Sequence, residues 1–224
     1  MKTLRRILII CPFPKGVAAG QRLKYEQYFN HWRENGFEIT VSSFMDLPMW
    51  KVVYTRGNYT AKILGTLRGC LCRVVDIFRI RRFDLVYVFM WVTPLGTSFF
   101  ERLFRLLSRR LIYDIEDNVI MEKSNNINPF VRLFKSSQKT IFPIKTADHV
   151  ITSSPFLNDY TLGLNRKKAC TYISSTVDTD CFLPVNLYRN DRKVIIGWTG
   201  TFSSKVYIDL LKKVFYELSK RCEF

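Results

Sequence analysis

Three carboxylates fall within four positions at Asp114-Ile-Glu116-Asp117, and Asn118 follows them. They come straight after the apolar run Leu111-Ile-Tyr113, which has the character of a buried strand. Like charges this close repel one another, a poor arrangement for stability at a strand end. The chemistry they fit is hydrogen bonding to substrate hydroxyls, or general base work. Capping of a following helix is the structural alternative. A second candidate is Pro12-Phe-Pro-Lys-Gly16-Val-Ala-Ala-Gly20-Gln-Arg22, where small residues let the backbone approach a ligand and a helix start favours anions. Arg22 falls in the first helical turn, where a cation opposes the helix dipole, and that points it toward a bound anion. The third is Ile196-Gly197-Trp-Thr199-Gly200-Thr201-Phe-Ser203-Ser204, a strand running into a glycine turn whose serines can cap a helix. Such a turn cradles phosphate, or is a plain structural connection.

Other chemistries find no support. The two histidines, His31 and His149, are not at strand carboxyl ends, and no P-loop, G-x-S-x-G or zinc pattern is present. The six cysteines form no C-x-x-C pair, which predicts reduced, mostly buried thiols rather than disulfides.

These residues need elements to position them. Short apolar runs alternate with amphipathic segments. Strands are predicted near 7–11, 37–43, 84–89, 111–115, 149–152 and 169–173. Helices are predicted near 21–35, 60–82, 97–109, 155–164 and 206–218, and 129–146 has helical character interrupted by Pro143. Residues 45–59 have no clean period. The alternation predicts an α/β fold, a Rossmann-like doubly wound parallel sheet, with ligands bound beyond the strand carboxyl ends. Residues 1–183 form the first domain, 184–193 a polar linker, and 194–224 the first strand and helix of a second domain.

The chain carries 35 Lys+Arg against 19 Asp+Glu, a formal charge of +16 over 224 residues. Residues 1–112 hold 19 cationic against 7 acidic side chains, so the first half carries the basic surface. From Met49 to Arg82 eight Lys/Arg face a single acid, Asp76. On a helical wheel for 60–82, Ile63, Leu64, Leu67, Leu71, Val74, Val75 and Phe78 share one arc. Lys62, Arg68, Arg73 and Arg79 share the opposite one. The basic arc is expected to be a solvated face or to meet an anionic membrane surface, with Arg68, Arg73 and Arg79 facing the lipid. No nucleic-acid module signature is visible, so nucleic acid is not the expected partner. No stretch approaches the ~18 apolar residues of a membrane span, and the apolar run Ile7 to Cys11, ended by Pro12 and Pro14, is too short to read as a signal peptide.

Together these segments resemble the retaining glycosyltransferases of family four, with their two-domain GT-B architecture. The resemblance rests on Ile7-Leu-Ile-Ile-Cys-Pro-Phe-Pro14 with the loop to Arg22, and on Tyr113-Asp-Ile-Glu-Asp-Asn118. Ala147-Asp-His-Val-Ile-Thr-Ser-Ser154, Val177-Asp-Thr-Asp-Cys-Phe-Leu-Pro184 and Val194-Ile-Ile-Gly-Trp-Thr-Gly200 complete it. It covers nearly the whole chain. It implies an acceptor-side first domain and a nucleotide-sugar donor held by the second. Transfer would retain anomeric configuration without a required metal or other cofactor. Many members act on lipid-linked or cell-envelope acceptors at the cytoplasmic membrane face, which suits the basic first half. The cleft residues implied are Gly16, Gly20, Arg22, Asp114 and Asn118. The donor-phosphate loop would be Gly197, Thr199, Gly200, Thr201 and Ser203. Many members carry a histidine at the end of the fourth strand. Here Glu116 occupies that place beside Asp117, matching a subgroup with paired acids, and these two are the implied catalytic pair.

The family's basic donor-phosphate residues and paired-glutamate motif would lie beyond Phe224. The 224-residue chain is therefore expected to lack measurable transfer by itself. A non-catalytic acceptor- or membrane-binding module derived from such an enzyme is the alternative, and a basic nucleic-acid-binding protein a weaker third.

Overall fold

Ile7 to Ile10 present no polar side chain on either face, so they are stable only as a strand covered on both sides. In the computed structural model, which describes residues 5–116, 138–183, 196–198 and 205–221, they form the heart of β1 (Arg5–Cys11). The other strands are β2 (Phe37–Ser43), β3 (Leu85–Phe89), β4 (Leu111–Ile115), β5 (His149–Thr152) and β6 (Cys170–Tyr172). All six pair in parallel in the order β2-β1-β3-β4-β5-β6. The chain thus winds one way from β1 to β2 and the other way from β3 onward, which puts a switch point between β1 and β3. The architecture is a Rossmann-like α/β sheet flanked by helices.

Alternate side chains explain the two cores. Leu8 and Ile10 point to one face with Val86, Val88, Leu111, Tyr113 and Val150, over which Phe104, Ile144 and Leu157 close. Ile7, Ile9 and Cys11 point to the other with Tyr87 and Phe89, covered by Tyr25 and Phe29. The second cover belongs to α1 (Ala19–Lys24), a 3-10 turn (Glu26–Tyr28) and α2 (Phe29–Glu34). One helix over 21–35 is thus broken in two. The backbone of Tyr25 leaves helical geometry, at φ −142°, and its ring packs on Phe29, Tyr87 and Phe89. Gly36, at φ +85°, then makes the left-handed turn into β2.

The remaining helices of this unit are α3 (Leu47–Val53), α4 (Tyr59–Arg79), α5 (Phe99–Leu107), α6 (Gln138–Thr146) and α7 (Pro155–Leu164). Helix α3 lies in the stretch without a clean period. Its start is fixed locally, for Asp46 Oδ1 accepts from the Met49 N–H at 2.9 Å and Pro48 sits in the first turn. Among the described residues no helix is long and apolar enough to cross a membrane. Among the described cysteines none lies in a disulfide. Only Cys11 is buried; Cys70, Cys72 and Cys170 are half-buried and Cys181 is exposed, so the expectation of mostly buried thiols is corrected.

Helix α4 departs most from its sequence pattern. Its apolar arc faces outward, with Leu64 66% and Phe78 82% exposed, whereas Arg73 is fully buried. The inward face contains two glycines. A methyl at Gly69 would lie 2.7 Å from the Phe44 ring, and one at Gly65 would lie 2.7 Å from Met49 Sδ. This close approach brings Arg73 under the sheet's carboxyl ends. Its Nη2 donates to Cys11 O at 2.9 Å, its Nη1 to Ser42 O at 3.1 Å, and its Nε to Val92 O at 2.6 Å. Asp76 Oδ2 balances the charge at 3.1 Å. Arg73 is therefore not a membrane-facing residue. Arg79 is 35% exposed and held to Asp76 at 2.6 Å, while Arg68 is exposed and 3.4 Å from Asp46. An amphipathic pattern says that two faces differ; it does not say which one the core takes.

The chain divides into two compact units, Met1–Asp178 and Thr179–Phe224. In the second, α8 (Lys205–Asp209) and α9 (Lys212–Ser219) replace one continuous helix. The Leu211 N–H bonds Ile208 O at 2.9 Å, a tight i→i+3 turn that ends the first of them. Of the strand expected at 194–198, residues 196–198 are described and do not form one. A strand exists only by pairing, and the described residues of this unit offer no neighbour. The linker at 184–193 lies outside the described residues, as does 129–137 of the Pro143-containing segment.

Removing one partner from a buried ion pair costs about 3–5 kcal/mol, against ~1 kcal/mol or less for an exposed pair. Arg73→Met is therefore expected to lower the unfolding free energy by about 3–5 kcal/mol, and Arg68→Ala by less than about 1 kcal/mol, in urea titrations. Equal effects would mean that Arg73 does not anchor the strand ends.

Candidate functional site

The loop after β1 is pinned from below. Gln21, fully buried, accepts from the Phe13 N–H and donates to Phe13 O, each at 3.0 Å. Its Nε2 also reaches Glu26 Oε1 at 3.1 Å, and Glu26 Oε2 accepts from the Gly16 N–H at 2.8 Å. Gly16 needs its glycine for φ +82°. Gly20 lies against the end of the Glu116 side chain: a methyl there would be 2.5 Å from Glu116 Oε2, which the flexible carboxylate would have to move to admit. The first-strand loop and the acidic turn after β4 thus meet on the carboxyl edge of the sheet. The Ser153 hydroxyl donates to the backbone carbonyl of Glu116, tying the turn to the end of β5. Arg22 is exposed in the last turn of α1 rather than the first, so the helix dipole gives no reason to aim it at an anion.

Asp114 behaves differently from its neighbour. It is fully buried, with Lys24 Nζ 3.6 Å from its Oδ1 and the Tyr87 hydroxyl donating to its Oδ2. Lys24 is itself buried and donates to the carbonyls of Ile173 and, at 3.5 Å, Thr152. This cluster ties α1 to β3, β4, β5 and the segment after β6. Asp114 is therefore a positioning residue beneath the edge, whereas Glu116 is half-buried at it. Lys24 and Tyr87 carry no motif. Their only signal is that Gln21, Lys24 and Tyr25 fall at i, i+3 and i+4, a mixed polar and aromatic face that must turn inward.

Another buried pair lies beyond β3. Lys139 Nζ donates to Leu95 O at 2.6 Å and to Thr93 O, and sits 3.9 Å from Glu101 Oε1. Burial pulls the Lys139 pKa down to about 8 and pushes that of Glu101 up. The pair holds the loop after β3 against α5 and α6.

Among the implied site residues, Asp117, Asn118, Thr199, Gly200, Thr201 and Ser203 lie outside the described residues. Gly197 is exposed in the second unit, with open space around it. A hollow of about 1320 Å³ occurs at the opposite end of the sheet, lined by Arg5, Phe37, Asp84, Arg109, Asp148 and His149 at the strand starts. Its acids are engaged: Asp84 with Arg109 at 3.1 Å, Asp148 with Arg105 at 3.3 Å and with Lys167. Ligands of open parallel sheets bind at the carboxyl ends, and the converging loops lie there, so the candidate site is placed at that edge.

Burial raises the Asp114 pKa from 3.8 to about 6; Lys24 and the Tyr87 hydroxyl oppose the rise and Glu116 adds to it. Between these two values the native protein holds this proton while the unfolded chain releases it. Stability from this group is thus full below about pH 4 and is lost as pH rises through about 6. Asp114→Asn cannot ionise. Its unfolding free energy relative to wild type is expected to improve by about 2 kcal/mol between pH 4.5 and pH 7. A difference independent of pH in urea titrations would place the Asp114 titration elsewhere.

No family model matches the chain, and no curated protein matches it.

Proposed function

We propose that the chain is the acceptor-side portion of a retaining glycosyltransferase of GT-B type. It would transfer a sugar from a nucleotide-sugar donor to a cell-envelope or lipid-linked acceptor. The observation that carries this reading is the meeting of Gly20 and Glu116 at the carboxyl edge. The contact sets a carboxylate beside the loop after β1, where an acceptor hydroxyl would have to meet it. For retention the hydroxyl oxygen would bond the anomeric carbon on the face from which the nucleoside diphosphate leaves, and its proton would pass to Glu116, with Asp117 beside it in sequence. Below the edge, Lys24 and Asp114 fix the loop and the turn relative to each other, and such positioning supplies much of an enzymatic rate. A donor-binding domain of ~150 residues is needed as the second wall of the cleft. The non-catalytic alternative is favoured by one observation, the exposed apolar arc of α4, which a soluble sugar-transfer site does not need.

The test supplies radiolabelled nucleotide sugars and a cell-envelope lipid extract to the 224-residue chain and to the full product of its reading frame. The 224-residue chain is expected to be silent, and a longer product of the reading frame, where one exists, active. Glu116→Gln should lower the full product's rate about 10²-fold or more, the usual weight of a proton-transfer group. An inactive full product favours the non-catalytic module, and an active Glu116→Gln variant removes Glu116 from the chemistry.

A further inference from the structure

We infer that the outward arc of α4 is a docking surface for an anionic phospholipid bilayer, entered by its apolar side chains and steadied by its flanking cations. Ile63, Leu64, Leu67, Leu71, Val74, Val75 and Phe78 are all exposed. At 1.5 Å per residue they form a line about 23 Å long. The helix cannot roll to hide them. Gly65, Gly69, Arg73 and Asp76 lock the opposite face against Met49, Phe44 and the strand ends.

The charges select the occupant. Arg68 and Arg79 border the arc along the helix, and Arg81 and Arg82 are exposed at its end. The acid of α4, Asp76, is sealed at 0% exposure. Helix α5, which packs beside α4, repeats the pattern. It exposes Phe99, Leu106 and Arg102 and buries its acid, Glu101. From 46 to 82 eight Lys/Arg stand against two acids, Asp46, which pairs with Arg68 at 3.4 Å, and the buried Asp76. A second copy of the chain would bring like charges together around the stripe. Nucleic acid would satisfy the cations but leave a 23 Å apolar line in water. An anionic bilayer satisfies both, since an amphipathic helix lying in the interface seats apolar side chains below the headgroups and cations among them. This differs from contact through the basic arc, because Arg73 on that arc is interior. The inference stands apart from the sugar-transfer reading, for nothing in it uses Glu116 or the glycine loop.

The experiment measures binding of the 224-residue chain to vesicles of phosphatidylglycerol and phosphatidylcholine, and to phosphatidylcholine alone, by co-sedimentation. Wild type is expected to bind the anionic vesicles at least ~10-fold more tightly than the neutral ones. The triple variant Leu67→Gln/Leu71→Gln/Phe78→Gln should lose ~30-fold or more on anionic vesicles at low salt, because buried apolar area drives insertion. The side chains replaced are exposed, so its urea midpoint should match wild type. A separate Leu71→Trp variant should gain emission that bromine-labelled acyl chains quench, a signal that surface adsorption does not give. The inference is overturned if the triple variant binds as wild type does. It is equally overturned if wild type ignores vesicles while self-associating, or while binding duplex DNA or an acidic protein through this arc. Sugar transfer to a soluble acceptor by the full product should survive the triple substitution, so failure of the lipid surface and failure of the enzymatic reading are separable.

Discussion

A guanidinium held in the interior organises the carboxyl half of the sheet. Removing Arg73 from water costs several kcal/mol, and burial pulls its pKa below the ordinary value while Asp76 opposes the shift. What offsets that cost is the set of carbonyls at Cys11, Ser42 and Val92, which terminate β1 and β2 and follow β3. Of these, Cys11 O also accepts from the Phe44 N–H at 2.9 Å, so the guanidinium adds a second donor there. A planar donor with five N–H groups in a fixed fork reaches three carbonyls and the Asp76 carboxylate at once, more than the three donors of a lysine ammonium can serve. The guanidinium reaches them only because α4 lies close, and α4 lies close only because positions 65 and 69 lack a Cβ. Once that face is committed to the sheet, the apolar arc has nowhere to go but outward.

Lys24 and Asp114 do related work from the other face of the sheet. The geometry is looser, with 3.6 Å between the charged atoms, and Asp114 Oδ1 accepts no hydrogen bond. Lys24 instead spends its donors on carbonyls after β5 and β6. The pair therefore joins strands far apart in sequence, at the price of a carboxylate whose pKa is raised to about 6. Glu116, two residues on, points to the edge where Gly20 leaves room. Alternation along a strand explains the division: neighbours at i and i+2 share a side, but the strand ends at Ile115, and beyond it the direction of Glu116 is set by the turn.

Strands were legible because a run buried on both faces, such as Ile7–Ile10, has no other stable use. The breaks in helices were not. Tyr25 interrupts α1 and α2 for a tertiary reason, an aromatic pocket built by Phe29, Tyr87 and Phe89. The orientation of α4 was misread because Arg73 looked like a surface cation. Its signature was present in the spacing. Gly65, Gly69, Arg73 and Asp76 recur at four, four and three residues, a stripe of small and mutually compensating polar groups that can be buried together. In the candidate site, the glycine loop and Glu116 were visible from residue type. Lys24 and Tyr87 were not, since a buried lysine is recognisable only through the partners that folding brings to it.

The two outward consequences of the sequence are joined by the same helix. The apolar arc of α4 lies on one side of its axis and the guanidinium of Arg73 on the other, so the carboxyl ends of β1 and β2 stand about one helix diameter, ~10–12 Å, from the outer arc. That exceeds the depth of one headgroup layer, ~5–7.5 Å, since a bilayer of ~40–45 Å contains ~30 Å of hydrocarbon and has two such layers. If α4 rests in the interface, the carboxyl ends held by Arg73 lie just above the headgroups. An acceptor anchored in lipid then has its polar end near that edge without leaving the membrane, whereas a soluble acceptor gains nothing from the arrangement. The burial of Arg73 thus links the choice of exposed surface to the class of acceptor that the site would meet.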